Sequence, residues 1–315
     1  MIAGILIIIV SYLFFSLAFF GDKLVLSGSH LEAVIKPGHP KTSANPKLYT
    51  FYIGILNALV IFLIPFTKLH FTAAEILLSV LTALTTLLGL YTMFIALEKF
   101  EVSRVMPTIG AVQPILILVL TWIFWGFQVI SVLNFLAFML LLFGSIIISV
   151  EKKLAITINY LLLTMVSALM FSLVYIFSKM VFLRLPFLPG VVLIGLGTFF
   201  FTLVFLFDKG LRSQIFSKKM ALDKKTGIIF LFTQSAGGIA NILQSLAISL
   251  VPISYLAIIN SLRGIQYVFL FIITLFFSTF YPKILQEDIS QKIIIQKTIA
   301  IVVIVFGLAI LVLYP

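Results

Sequence analysis

Between Thr226 and Pro282 a single residue, Arg263, carries a charge, and residues 105–150 carry none. Runs this long and this apolar cannot form the surface of a water-soluble globule. A bilayer span needs about 20 mainly apolar residues, so each run is long enough for two spans. Composition agrees: 62% of the residues are apolar and 10% are charged. A soluble domain has roughly 45–50% apolar residues, glycine included, and about 25% charged ones. The long stretches carry polar residues at helical spacing, unlike barrel strands, which alternate every second residue. The chain therefore reads as an all-α polytopic membrane protein.

The net charge of +11 does not point to nucleic acid, because the basic residues cluster in the connections between apolar runs, as they do in cytoplasmic membrane loops. The absence of cysteine excludes disulfides, thiolate metal sites and cysteine nucleophiles. The opening "MIAGILIIIVSYLFFSLAFFGDK" has no basic n-region and no A-x-A site, and its apolar stretch is too long for a signal peptide. It reads as a retained first helix.

Spans are expected near 2–20, 48–66, 72–97, 105–126 and 129–150, then near 157–181, 187–207, 227–249, 253–280 and 293–314. The first uncharged run breaks at "WGFQ" (125–128). The second breaks at "LVPIS" (250–254), where Pro252 suits the first turn of a helix. Residues 21–47 and 208–225 read as polar, solvated loops. Ten helices place both termini on one side. The loops after helices 1, 3, 5, 7 and 9, with their flanks, hold 17 of the 21 lysines and arginines, and the opposite side holds Lys68, Lys179 and Arg184. By the positive-inside rule the basic loops are cytoplasmic and the termini are not.

The halves 1–150 and 151–315 share a layout. The turns "ALEKFEVS" (96–103) and "AISLVPIS" (247–254) align Ala96 with Ala247 and Ser103 with Ser254, a constant offset of 151. Five helices per half would turn the second half upside-down in the membrane, a plan that transporters use with the substrate site at the midplane between halves.

The segment "FIALEKFEVSRVMPTIGAVQPILILVLTWIFWGFQ" runs from an alanine-leucine pair to Pro114 within helix 4. In this it resembles the ten-helix, EamA-type members of the drug/metabolite transporter superfamily. That family opens helix 5 with a glutamate, followed by small residues nine and sixteen positions on. Gln128, Ala137 and Gly144 stand at that spacing here, so the glutamate is replaced. Ala300 and Gly307 repeat the seven-residue interval in helix 10. The resemblance implies a transporter fold of two inverted repeats, with both termini usually cytoplasmic, contrary to the charge count. It names no substrate.

Helix 9 places Asn260, Arg263 and Tyr267 at i, i+3 and i+7, hence on one face. Helix 8 places Gln234, Gly238, Asn241 and Ser245 on another narrow stripe. Joined by a tight turn, the two helices are expected to pack antiparallel and to line a common cavity. The plainer reading of the stripe is interhelical hydrogen bonding, and that of Arg263 a structural arginine bonded to carbonyls or water. A charge at mid-span costs ~2.5–3.5 kcal/mol on insertion scales. All ten Asp and Glu lie in loops or near span ends, so an anionic substrate group is the expected partner of Arg263. A proton-coupled cation exporter would want a membrane-embedded carboxylate.

Pro107, Gly110, Ala111 and Pro114 share one face of helix 4, for close packing or as a gating hinge. Thr82 and Thr86 could add polar contacts to the cavity. Lys179 and Glu75, near span ends, are expected to snorkel. The three histidines show no H-E-x-x-H spacing, and no GxxxxGK[ST] loop is present.

The expectation is therefore a secondary transporter in the plasma (inner) membrane, not an enzyme, with no cofactor or metal. It works by alternating access on a small metabolite with an anionic group. Its partners are that small molecule and the lipid bilayer, with no nucleic acid and homodimerisation left open. The rivals are an exporter of neutral or hydrophobic compounds and a non-transporting membrane scaffold.

Overall fold

The computed structural model describes residues 2–35, 46–67, 70–100, 102–127, 130–149, 157–216, 224–280 and 291–314. Among these the chain is 92% helical and has no strand. In order the helices are α1 (Ile2–Ile35), α2 (Pro46–Leu56), α3 (Ala73–Lys99), α4 (Val102–Trp125), α5 (Val132–Ser149) and α6 (Ile158–Phe182). There follow α7 (Phe187–Leu203), α8 (Lys209–Phe216), α9 (Lys224–Leu250), α10 (Leu256–Ser261), α11 (Arg263–Phe280) and α12 (Gln291–Leu313). Tighter 3₁₀ turns extend α2 to Phe66 and α7 to Phe207, and another precedes α10.

Eight segments are long and apolar enough to cross a membrane, so the protein is a multi-pass membrane protein. The apolar part of α5 is shorter, Val132–Ile147, and α9 is diluted by Gln234, Asn241 and Gln244. Large apolar side chains such as Phe66, Phe127, Val132 and Phe207 are almost fully exposed. Water would penalise such a surface, and lipid favours it.

Local chemistry sets most boundaries. The Thr72 hydroxyl accepts the Glu75 backbone N–H while the Glu75 carboxylate accepts that of Thr72, a reciprocal cap that starts α3. Glu75 is thus a helix cap and does not snorkel. The Thr157 hydroxyl caps α6 at Tyr160 N–H. Gly126, at φ +77°, ends α4 in a left-handed conformation that only glycine adopts without strain. The break expected at "WGFQ" falls there, and that expected at "LVPIS" follows Leu250.

Three expectations fail. Residues 21–35 continue α1 as helix where a loop was expected. No proline interrupts the chain before Pro37, and at 34 residues the helix is about 51 Å long, well beyond a ~30 Å hydrocarbon core. The loop 208–225 contains α8. Asp208 caps it, accepting the N–H groups of Gly210 and Leu211, and also binds Lys47 Nζ at 2.6 Å. The Lys47 ammonium, followed by the Leu211 N–H, holds the Asp208 carboxyl below the usual carboxylate range.

The third failure concerns packing. α9 and α11 do not pack along each other as a hairpin; α1 contacts both, lying along α9 and against α11. Correspondingly, α6 lies along α3 and packs on α4, which barely meet. The first helix of each half is thus inserted between two helices of the other half. A tight turn brings helix ends together, but a third helix can still wedge between the shafts.

The small residues of α5 and α12 meet face to face. A Cβ on Gly307 would press against Leu141, Leu140 and the Ala137 carbonyl at 3.0–3.2 Å, and one on Gly144 would meet Ile304 and the Ala300 carbonyl. Replacing Gly307 with leucine is expected to force these helices apart, at a cost of about 1–3 kcal/mol or more. The thermal midpoint in detergent should fall by several degrees. An unchanged midpoint would mean that the helices part without penalty.

Candidate functional site

A guanidinium in a low-dielectric interior must be solvated by protein dipoles or by an anion. Arg263 opens α11 immediately after a break at Leu262, so the expected continuous helix is interrupted there. Its Nη1 donates to Gln113 Oε1 of α4 at 2.7 Å. The hydroxyl of Tyr12, from α1, lies against the guanidinium, and Tyr175 of α6 and Tyr267 of α11 are close by. The Tyr12 hydroxyl donates to the Ile259 carbonyl at 3.2 Å, at the end of α10. The Ser145 hydroxyl reaches the Ser261 carbonyl at 3.4 Å. Side-chain hydroxyls of α1 and α5 thereby serve backbone groups at the break, as interrupted membrane helices require.

Among the described residues no carboxylate takes part. Among the described residues Arg263 makes no ion pair, and its charged and polar neighbours are tyrosines and one glutamine. Its Nε and the Gln113 Nε2 are buried without a partner among the described residues. Gln113 has no exposed surface, whereas Arg263 and Tyr267 keep part of theirs accessible although protein surrounds them.

The residues named from sequence are distributed as follows. Tyr267 lies one helical turn beyond Arg263 and donates to the Met106 carbonyl of α4 at 3.0 Å. Asn260 sits across the break on α10, fully buried, with both amide atoms unpartnered. Gln234 donates to the Tyr49 hydroxyl of α2 at 3.2 Å, away from the arginine. Asn241 is exposed and Ser245 half-buried on α9, and no hydrogen bond among the described residues joins either to Arg263. The α9 stripe and the arginine belong to helices that hardly meet, each packing on α1 instead. From α9 it is Gln244, off the expected stripe, that comes nearest the cluster, donating to the Tyr175 hydroxyl at 2.6 Å.

Gly110 and Pro114 are buried in α4. A Cβ on Gly110 would collide with the Tyr267 hydroxyl and press on Arg263 Cδ at 3.3 Å, so the missing side chain makes room for the arginine. Pro107 is within α4, though its side chain lies outside the described residues, as does Gln128. Thr82 and Thr86 turn their hydroxyls to carbonyls of their own helix, Leu78 and Thr82.

Sequence reasoning missed Gln113, Tyr12 and Tyr175; a second internal alignment includes the first two, and nothing in the sequence marks Tyr175. "SYLFFSL" (11–17) matches "SALMFSL" (167–173), and "TIGAVQ" (108–113) matches "SLRGIQ" (261–266). The second match sets Gly110 opposite Arg263 and Gln113 opposite Gln266. Hydrogen bonds follow the same correspondence: Ser16 donates to the Gln266 carbonyl at 2.8 Å and Ser172 to the Gln113 carbonyl at 3.3 Å.

Lys179 corrects a further expectation. It is buried, and its Nζ donates to the carbonyls of Ile248, Ser249 and Val251 at 3.1, 3.1 and 2.5 Å. It therefore closes the C-terminus of α9, where unpaired carbonyls and the negative end of the helix dipole attract a cation, and does not snorkel.

No family model matches this chain, and no curated protein does. Solved structures do match. One crystal structure of a protein without a functional name superposes with a TM-score of 0.67 over 98% of this chain and 96% of its own, at 15% identity. At that identity the likeness shows a shared fold alone.

Replacing Lys179 with methionine is expected to strand three carbonyls at the end of α9 and to lower stability by about 1–3 kcal/mol. Thermal unfolding in detergent measures this. Stability equal to wild type would show that the carbonyls find other donors.

Proposed function

We propose that the protein is a secondary transporter of a small metabolite carrying an anionic group, working by alternating access around a mid-membrane cavity. In this reading ten helices span the plasma membrane as two inverted five-helix repeats, residues 1–150 and 151–315, and the chain belongs with the EamA-type drug/metabolite transporters. No catalysis and no cofactor are involved. The observation that carries the proposal is Arg263: an interior cation at a helix break, partly accessible, and balanced by no carboxylate among the described residues. Interrupted helices at the interface of two repeats are where transporters bind their substrates. The paired serine bonds and the inserted first helices support the repeat. The shared fold names neither a family nor an activity.

The rival is an exporter of neutral compounds in which Arg263 is structural. It draws on the Gln113 bond, since one edge of the guanidinium is already occupied.

Replacing Arg263 with glutamine removes the charge but keeps a donor for Gln113. The expected result is loss of anion uptake in proteoliposomes, by about a hundredfold or more, with a folded, monodisperse protein. Lysine should retain only part of the activity, since it lacks the planar fork. Wild-type transport by the glutamine variant would remove Arg263 from the substrate path.

The basic loops are assigned to the cytoplasm. Single cysteines at Ser217 and Pro315 should label from opposite faces of the membrane, Pro315→Cys from outside. Labelling of Ser217→Cys from outside the intact cell would reverse the orientation.

A further inference from the structure

Gln113 is held in an unusual way for a buried amide. Its Oε1 accepts from Arg263 Nη1 at 2.7 Å, while its Nε2, equally buried, has no partner. The cation dictates which way the amide faces, because only the carbonyl end can accept. A structural glutamine in an apolar interior would be expected to satisfy both ends. Here one end serves the arginine and the other serves nothing. On the same guanidinium Nε is also buried and unbonded. The primary amide is planar and matches a carboxylate in shape, with an sp² oxygen at the atom that touches the arginine.

Resting on the anion-transporter reading above, we propose that Gln113 is an internal stand-in for the substrate, and that the substrate's anionic group is a carboxylate. In the closed arrangement the amide oxygen of Gln113 occupies the position of one carboxylate oxygen on Arg263. On binding, the substrate carboxylate takes that place and engages the planar fork of the guanidinium, for which its geometry is matched. The displaced amide then swings off the fork and leaves both of its edges to the substrate. Gln113 is thus a positioning residue that keeps the arginine solvated between transport events. Gly110, one turn earlier on the same helix and without a side chain against Arg263 Cδ, gives the arginine room to shift.

The test uses full-length protein in detergent and in proteoliposomes, with acetate, lactate and benzoate as carboxylate probes and inorganic phosphate as the tetrahedral comparison at matched ionic strength. Wild-type protein should be thermally stabilised by at least one carboxylate and not by phosphate. Gln113→Glu places a permanent carboxylate on Arg263. It should raise the thermal midpoint, weaken probe binding about tenfold or more and abolish uptake. Gln113→Leu removes the stand-in and should bind the carboxylate at least as tightly as wild type, because the internal competitor for the fork is gone.

Uptake by Gln113→Glu at the wild-type rate would overturn the stand-in, as would loss of binding in Gln113→Leu, which would make Gln113 a direct ligand. Phosphate stabilising as well as the carboxylates would overturn the substrate class alone. If Arg263→Gln abolishes anion uptake and Gln113→Glu does not, the transporter reading survives and this inference fails. If neither substitution affects uptake of any anion, both fail.

Discussion

One cation with no carboxylate beside it among the described residues organises the centre of this protein. Burying a guanidinium removes hydration that only charge or oriented dipoles can replace. The chain supplies dipoles: the Gln113 amide from α4 and the Tyr12 hydroxyl from α1, with Tyr175 and Tyr267 beside them. Each provider is itself fixed. Tyr12 is anchored to the α10 carbonyls, and Ser172 of α6 bonds the Gln113 backbone. The absence of a side chain at Gly110 lets α4 approach closely enough for the bond to form. Four helices are therefore placed by the solvation of a single side chain.

The interleaving of helices follows from a related constraint. Lipid offers no hydrophobic force between apolar helices, so association depends on close packing and on hydrogen bonds across interfaces. Serines of α1 and α6 reach carbonyls of helices in the opposite half, and glycines let α5 and α12 approach. Lys179 ties the end of α6 to the end of α9 with three carbonyl bonds. With each first helix wedged into the other half, the halves cannot part without breaking these contacts.

The arginine itself was legible without coordinates, because a lone charge among the 57 residues 226–282 is conspicuous in any reading. Its neighbours were not. Helical spacing groups residues of one helix, so it proposed Asn260 and Tyr267, and the break at Leu262 then separated Asn260 from the arginine's helix. The tight turn at "LVPIS" suggested that the α9 stripe faced Arg263, but chain adjacency says nothing about a third helix entering between two others. Gln113 lies 150 residues from its partner, at a distance where only an internal alignment could have hinted at it.

The sequence by itself determined the helical character, the membrane environment, most span boundaries and the excess charge. These depend on the composition of contiguous segments and on local caps such as Thr72–Glu75 and Gly126, whose energies act within a few residues. The tertiary structure decided which dipoles solvate Arg263, that Lys179 is an interior cap, and that Asn241 stands apart from the cluster. Those outcomes depend on which helix faces meet, and in an apolar solvent many faces are nearly equivalent until small residues and a few hydrogen bonds between distant segments select one arrangement.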